Sequence, residues 1–307
     1  MNKSLSGRAI VRAIGRIWQL YLLLLPSLVY IVIFCYAPMY GVVWAFKDYN
    51  PTRGILESPW VGMKYFQQFF STSIFMKTFT NTLLLSFYSL VFSFPIPVIF
   101  ALLLDQVKHS KIQRFIQTVT YAPNFISTVV LVSMIVLFLA PSSGILTNFF
   151  SLFGSGDSMY LSRPQYFRPI YIISGIWQST GFNAIIYFAA LAGVNPELHE
   201  AAMIDGAGVM RRIWSINIPA IIPTIIIMFI LAMGNILSVG YEKVYLLQNG
   251  MNLSVSEVMS TYVYKVGVRN AQYSFATAVG IFNSVINLIL LILTNYAAKR
   301  VSDTSLF

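Results

Sequence analysis

The chain has 307 residues, of which 57% are hydrophobic and 10% are charged, against roughly a quarter charged in a soluble domain. Water is therefore not its main solvent. A net charge of +10 brings nucleic acid to mind, but the basic residues lie between apolar stretches rather than in an aromatic-interleaved stripe, which points to anionic lipid headgroups and not to nucleic acid.

A helix crosses a bilayer core with about 20 apolar residues. Stretches of that kind predict an all-α integral membrane fold with six spans, at roughly 20–40, 83–104, 119–139, 170–190, 219–239 and 277–296. With no region of separate composition, 1–307 reads as a single transmembrane domain. The first span is too long in its apolar part for a secretory signal, and no small-residue cleavage site follows it. Lys3, Arg8, Arg12 and Arg16 precede that span, and Lys108, Lys111 and Arg114 fill the short loop after the second. The positive-inside rule places both segments in the cytoplasm, and six spans then leave both termini there. Arg8, Arg12 and Arg16 recur every four residues, as in a basic helix face lying on headgroups or as a plain topology signal. Pro26, Pro38, Pro95, Pro97, Pro123 and Pro223 predict bent helices. Cys35 is the single cysteine and reads as packing.

Chemistry within a membrane needs acids, bases or ligands inside the helices. None of His, Asp or Glu falls mid-span, and His109 and His199 lie in inner loops without metal-ligand spacing. No catalytic residue and no metal site is expected. No GxxxxGK[ST] loop occurs, so any ATP hydrolysis by that route belongs to a partner. A proton- or sodium-coupled carrier marks its ion path with membrane-buried acids, and the only candidate is Glu242 at an outer edge, which argues against that reading.

The inner loop 195–219 between spans four and five is patterned as helix, turn, helix. Asn195 suits an N-cap, Pro196 suits the first helical position, and Glu197 and Glu200 suit the positive end of the helix dipole. Leu198, Ala201, Ala202 and Asp205 then recur at spacings of three and four, with a face small enough for close approach. Gly206 permits a sharp turn. Arg211, Arg212 and Trp214 follow before the chain re-enters the membrane at Pro219. The whole is a compact cytoplasmic knob.

Glu200-Ala201-Ala202, then Gly206, then Ile216-Asn217-Ile218-Pro219 resembles the EAA loop of binding-protein-dependent ABC permeases, with Ile218 where the family pattern usually has Leu. Further segments resemble the carbohydrate-uptake branch: Leu24-Leu25-Pro26, Ala37-Pro38-Met39-Tyr40-Gly41 through Phe46-Lys47-Asp48-Tyr49, Trp60-Val61-Gly62 through Phe69-Phe70, Tyr121-Ala122-Pro123, and Gln272-Tyr273-Ser274-Phe275-Ala276. The likeness is to permeases for oligosaccharides and polysaccharide fragments, including alginate-oligosaccharide types. It implies a maltose-permease-like fold in the cytoplasmic membrane of a prokaryote. It also implies a non-catalytic subunit that binds no cofactor and works with a second, different permease chain. Two ATPase subunits would hold ATP and Mg, and an extracytoplasmic sugar-binding protein would deliver oligosaccharide. In that picture Glu200, Ala201, Ala202, Asp205 and Gly206 couple the permease to the ATPase.

A sugar path needs aromatic platforms beside amides and hydroxyls. Trp177, Gln178, Ser179, Phe182 and Asn183 offer that mixture on span four. Asn235, Ser238, Tyr241 and Glu242 offer it on span five, at helical spacings of three and four. The same residues also fit helix-to-helix hydrogen bonding and interfacial anchoring. The maltose-type permease binds sugar on the matching segments, although Leu237 and Gly240 are apolar here. Glu242 and Lys243 read as an exposed outer pair, or Glu242 as a gate or binding-protein contact. The alternatives to oligosaccharide import are an ABC permease for an amino acid or ion, a self-sufficient carrier, or a membrane enzyme.

Overall fold

The computed structural model describes residues 18–153, 159–301 and 305–306. Lys3, Arg8, Arg12 and Arg16 lie outside the described residues. Among the described residues the structure is helical, with one antiparallel bridge between Lys47 and Trp60.

In chain order the helices are α1 (Trp18–Phe46), α2 (Lys64–Ser71), α3 (Ser73–Asp105), α4 (Ser110–Phe125), α5 (Thr128–Phe138), α6 (Ile145–Leu152) and α7 (Pro164–Leu191). They continue as α8 (Pro196–Ile204), α9 (Val209–Gly234), α10 (Tyr241–Leu247), α11 (Met259–Tyr264, extended by a π turn over Lys265–Arg269) and α12 (Tyr273–Val301). Helices α1, α3, α9 and α12 are each long and apolar enough to cross a membrane, and α4 with α5 make a fifth, bent candidate. Helix α7 has 28 residues, about 42 Å at 1.5 Å each. Its Arg168, Gln178, Ser179 and Asn183 dilute its apolar character.

Two expected spans are not continuous helices. In place of a span over 119–139 the chain bends by 96° between α4 and α5. Pro123 lies in a 3₁₀ turn at the end of α4, Ile126 is extended, and the Ser127 hydroxyl caps α5 by accepting from Val130 N. The carbonyl of Ile126, freed by the break, accepts 2.9 Å from Gln178 Nε2 on α7. The helix expected over 219–239 stops at Gly234. Residues 235–240 are non-helical, and the buried N–H of Leu237 donates to Asn287 Oδ1 on α12 at 3.0 Å. Irregular backbone at membrane depth survives only where protein groups satisfy it, and both breaks meet that condition.

Helix α7 is the axis of the packing. Near its start Phe167 joins Leu85, Leu131, Val132, Ile135, Val244 and Leu247 in one apolar core. Near its end Ala184, Tyr187 and Leu191 join Ala101, Leu102, Ile213 and Ile221 in another. Gly181 lets α7 meet α4, because a Cβ there would run into the Thr120 carbonyl. Asn217 Nδ2 donates to Asp105 Oδ2 at 2.8 Å and ties α9 to the end of α3. At the opposite end Glu257 accepts from Lys77 at 3.3 Å and Lys265 at 3.1 Å. There Tyr65, on α2, donates to Asp48 at 2.5 Å, and burial together with that carboxylate pushes its phenol up to about 12. Phe69, Phe75, Phe275 and Phe282 pack edge to face beside it.

By contrast, α1 has none of its most apolar 18 residues buried. It touches the rest of the protein through Tyr40–Phe46, which pack on α12. Lipid tails, as apolar as leucine, are the solvent such a helix needs.

Replacing Asn287 by Ala leaves the Leu237 N–H unpaired at depth. The expected cost is about 1–3 kcal/mol, read as a lower melting temperature and yield of the detergent-solubilised protein. Unchanged melting would mean that another group takes over that N–H.

Candidate functional site

Two features stand apart from the apolar packing: a projecting knob at one end of the bundle and a polar cavity within it. The knob is α8 and the turn after it. Asn195 Oδ1 accepts from Glu197 N at 3.1 Å, and Pro196 opens the helix. At the far end Gly206 N donates to Met203 O at 3.1 Å and Ala207 N to Ala202 O at 2.8 Å. This is a Schellman stop, whose turning residue must be left-handed. Gly206 occupies that position with φ of +76°. No residue of α8 is buried. Leu198, Met203, Ile204, Met210 and Trp214 expose large apolar side chains around Glu200, Ala201, Ala202 and Asp205. The knob's shape is set by its own hydrogen bonds, and its side chains stand outside the packing.

The cavity lies between the two apolar cores, at mid-length of α7. It measures about 270 Å³ and is lined by Ser89 and Ser93 of α3, Tyr171, Ile172, Gly175, Gln178 and Ser179 of α7, and Lys243 of α10. Lys243 is 8% exposed. Its Nζ donates to the Tyr171 carbonyl at 2.9 Å and lies 4.8 Å from the centre of the Tyr171 ring. Burial disfavours the charged form of this lysine, and the carbonyl oxygen and the π face offset part of that cost. A second, larger cleft of about 1,110 Å³ runs between α1, α11 and α12, and no charged side chain lines it.

Residues 69–303 match the family model for binding-protein-dependent transport system inner membrane components. The chain belongs to this family. Protein LplB of Bacillus subtilis is 43% identical over 301 residues, covering 98% of this chain and 95% of the relative. The polygalacturonan/rhamnogalacturonan transport system permease protein YteP of the same organism is 41% identical over 288 residues, covering 94% and 90%. Among solved structures, a bacterial ABC transporter involved in import of the acidic polysaccharide alginate matches with a TM-score of 0.87 and 38% identity over 95% of this chain and 99% of that one. The alginate transporter in complex with an alginate-pentasaccharide-bound periplasmic protein matches with the same TM-score and identity, over 96% and 99%. The protein is thus an integral membrane component of a binding-protein-dependent transport system.

Within the permease, the residues picked out for a sugar path do not converge on one site. Gln178 and Ser179 line the cavity, although Gln178 also holds the Ile126 carbonyl and Ser179 Oγ donates to Gly175 O at 2.8 Å. Trp177, Phe182 and Asn183 are exposed on α7 and do not line the cavity, with Phe182 edge-on to Phe125. Asn235, Ser238, Tyr241 and Glu242 share no helix, because α9 ends at Gly234 and α10 begins at Tyr241. Asn235 turns back on its own last turn, donating to Leu231 O. Ser238 accepts from Asn287. Tyr241 lines the larger cleft and packs at a tilt against Tyr264.

The expected exposed pair of Glu242 and Lys243 is also not observed: Glu242 is exposed whereas Lys243 is buried. Helical geometry explains the split, since Lys243, Val244 and Leu247 share the inward face of α10, which leaves Glu242 and Leu246 outward. Lys243 is neither an acid nor a histidine, the residue types that most often mark a buried site. The signal that finds it is its spacing of one and four from Val244 and Leu247.

Replacing Asn195 by Ala removes the cap of α8, at a cost of about 1 kcal/mol. The first turn of α8 should then exchange its amide hydrogens about five times faster, with α7 and α9 unchanged. Equal exchange in both proteins would show that Asn195 does not set the start of the knob.

Proposed function

We propose that this chain is the permease subunit of an ATP-driven importer of oligosaccharides, and that α8 is the cytoplasmic coupling helix through which a separate ATPase acts on it. The observation that carries the proposal is the knob itself. A self-capped helix with no buried side chain, bearing Glu200, Ala201, Ala202, Asp205 and Gly206 in the family's EAA spacing, is rigid enough to transmit force and bare enough to insert in a cleft. A Cβ at Gly206 would meet nothing within 4 Å, so the glycine serves the turn's left-handed backbone rather than packing.

On this reading the single domain crosses the membrane six times, counting α4 with α5 as one broken span and α7 as another. Both termini lie in the cytoplasm of a prokaryotic cell. The chain is non-catalytic and binds no cofactor, since ATP and Mg belong to the two ATPase subunits. A second, different permease chain completes the path, and an extracytoplasmic binding protein delivers the sugar. The binding-protein complex of the alginate transporter supports that assembly. The polygalacturonan/rhamnogalacturonan permease and the alginate transporter support oligosaccharide as cargo.

The test uses the assembled importer. Glu200→Ala and Gly206→Asp should each abolish the ATP hydrolysis stimulated by sugar-loaded binding protein. Membrane yield should stay near that of the parent, because both positions lie outside the packed helices. Full stimulation in both variants would remove the coupling role from α8.

A further inference from the structure

The geometry points to Lys243 as a carboxylate-binding contact in the central cavity, which makes the cargo an acidic oligosaccharide, one built with uronate units. The inference rests on the importer reading and adds the class of sugar to it. Among the described residues Lys243 is the buried lysine, and no carboxylate lies within 4.0 Å of its Nζ. The contrast with its neighbours at the far end is direct, since Lys77 and Lys265 share Glu257. An ammonium held away from water without a counter-ion costs free energy, and within a membrane such a group marks a ligand or ion path.

Its surroundings fit a ligand better than they fit packing. An ammonium has three donors, of which one is directed to the Tyr171 carbonyl. The same cavity presents the hydroxyls of Ser89, Ser93 and Ser179 and the amide of Gln178. Hydroxyls and an amide match the ring hydroxyls of a sugar, and a lysine matches a carboxylate on that ring. Space for the ammonium is kept by Gly175, where a Cβ would stand 3.3 Å from Nζ. Tyr171 supplies both an aromatic face and the carbonyl that orients the lysine.

The experiment measures binding to the purified, assembled importer in nanodiscs. The probes are trimers of galacturonate, mannuronate and guluronate, each as the free acid and as its methyl ester, which keeps the rings and hydroxyls but removes the charge. The parent should bind at least one acid trimer more tightly than its ester. Lys243→Met should weaken that acid about ten- to a hundredfold, the loss of a hydrogen bond to a charged group, while leaving ester binding unchanged. Retained ester binding also reports that the variant is folded. Gly175→Ala, which keeps the lysine but crowds its ammonium, should weaken the acid alone and by less. Equal acid binding by the parent and Lys243→Met overturns the proposal, as does preference of the parent for every ester, or binding of no acid trimer. Two further arms address other anions: nanodiscs of phosphatidylglycerol against phosphatidylcholine, and added inorganic phosphate. Lys243-dependent stabilisation by either, without sugar selectivity, assigns the site to a headgroup or free phosphate and sinks the uronate reading. The coupling variants at Glu200 and Gly206 report on the importer reading separately, so the two can fail independently.

Discussion

The constraint on which the rest of the structure depends is that hydrocarbon offers no hydrogen bonds, so every break in a membrane helix must be satisfied by another part of the protein. The chain breaks its helices at Ile126–Ser127 and across 235–240, and in each case an amide side chain on a long neighbouring helix meets the exposed backbone. Gln178 and Asn287 are therefore structural before they are anything else. The breaks also bring groups inward that a continuous helix would not. Ending α9 at Gly234 allows α10 to set out in a new direction, and that direction buries Lys243 against Tyr171.

The same constraint separates the two regions with a functional reading. The cavity is polar because α7 spends serine and glutamine side chains there, between two apolar cores that hold the helix at either end. The knob is outside the packing, and its form depends on local bonds: an asparagine cap at the start and a glycine-closed turn at the end. On the coupling reading the two are joined by α9. Its π turn over Ile213–Asn217 precedes Pro219, whose missing N–H leaves a carbonyl without its usual partner. Asn217, buried within that turn, grips Asp105, so a push on α8 reaches the end of α3 as well as α9. The cavity is walled by α3 together with α7 and α10, so a rigid displacement of α3 changes its walls.

Much of this was legible in the sequence where a local rule decides the outcome. Asn195, Pro196 and Gly206 spell out a short capped helix because capping and left-handed turns depend on residues within one turn of each other. The apolar stretches gave α1, α3, α9 and α12 for the same reason, as length and composition suffice in lipid. What could not be read was anything that depends on a distant partner. Pro123 announced a bend but not one of 96°, since that angle is supported by Gln178, 52 positions along the chain. The helical spacing of Asn235, Ser238 and Tyr241 looked like one face of a span, yet Asn287 holds the chain open between them. Trp177 is on the right helix but on the face away from the cavity, and Asn183, one turn beyond Ser179, lies past its lining. Lys243 was hidden by its neighbour, because an adjacent Glu and Lys suggest a solvated pair unless the direction of the helix is known.

The cavity's size limits what can occupy it. Pockets that enclose a small ligand run from roughly 300 to 1,000 Å³, and about 270 Å³ is smaller than that. A chain of several sugar rings does not fit within it. On the uronate reading a fragment fits, with its hydroxyls against Ser89, Ser93 and Ser179 and a charged substituent against Lys243. The remainder of an oligosaccharide must extend beyond this subunit's walls. Recognition by one charged group near the centre, with the rest of the chain held loosely, suits a passage through which successive units of a polymer move. Each unit needs to be bound well enough to enter and weakly enough to leave, and a single ammonium already engaged by a carbonyl and an aromatic ring is a restrained rather than a tight partner.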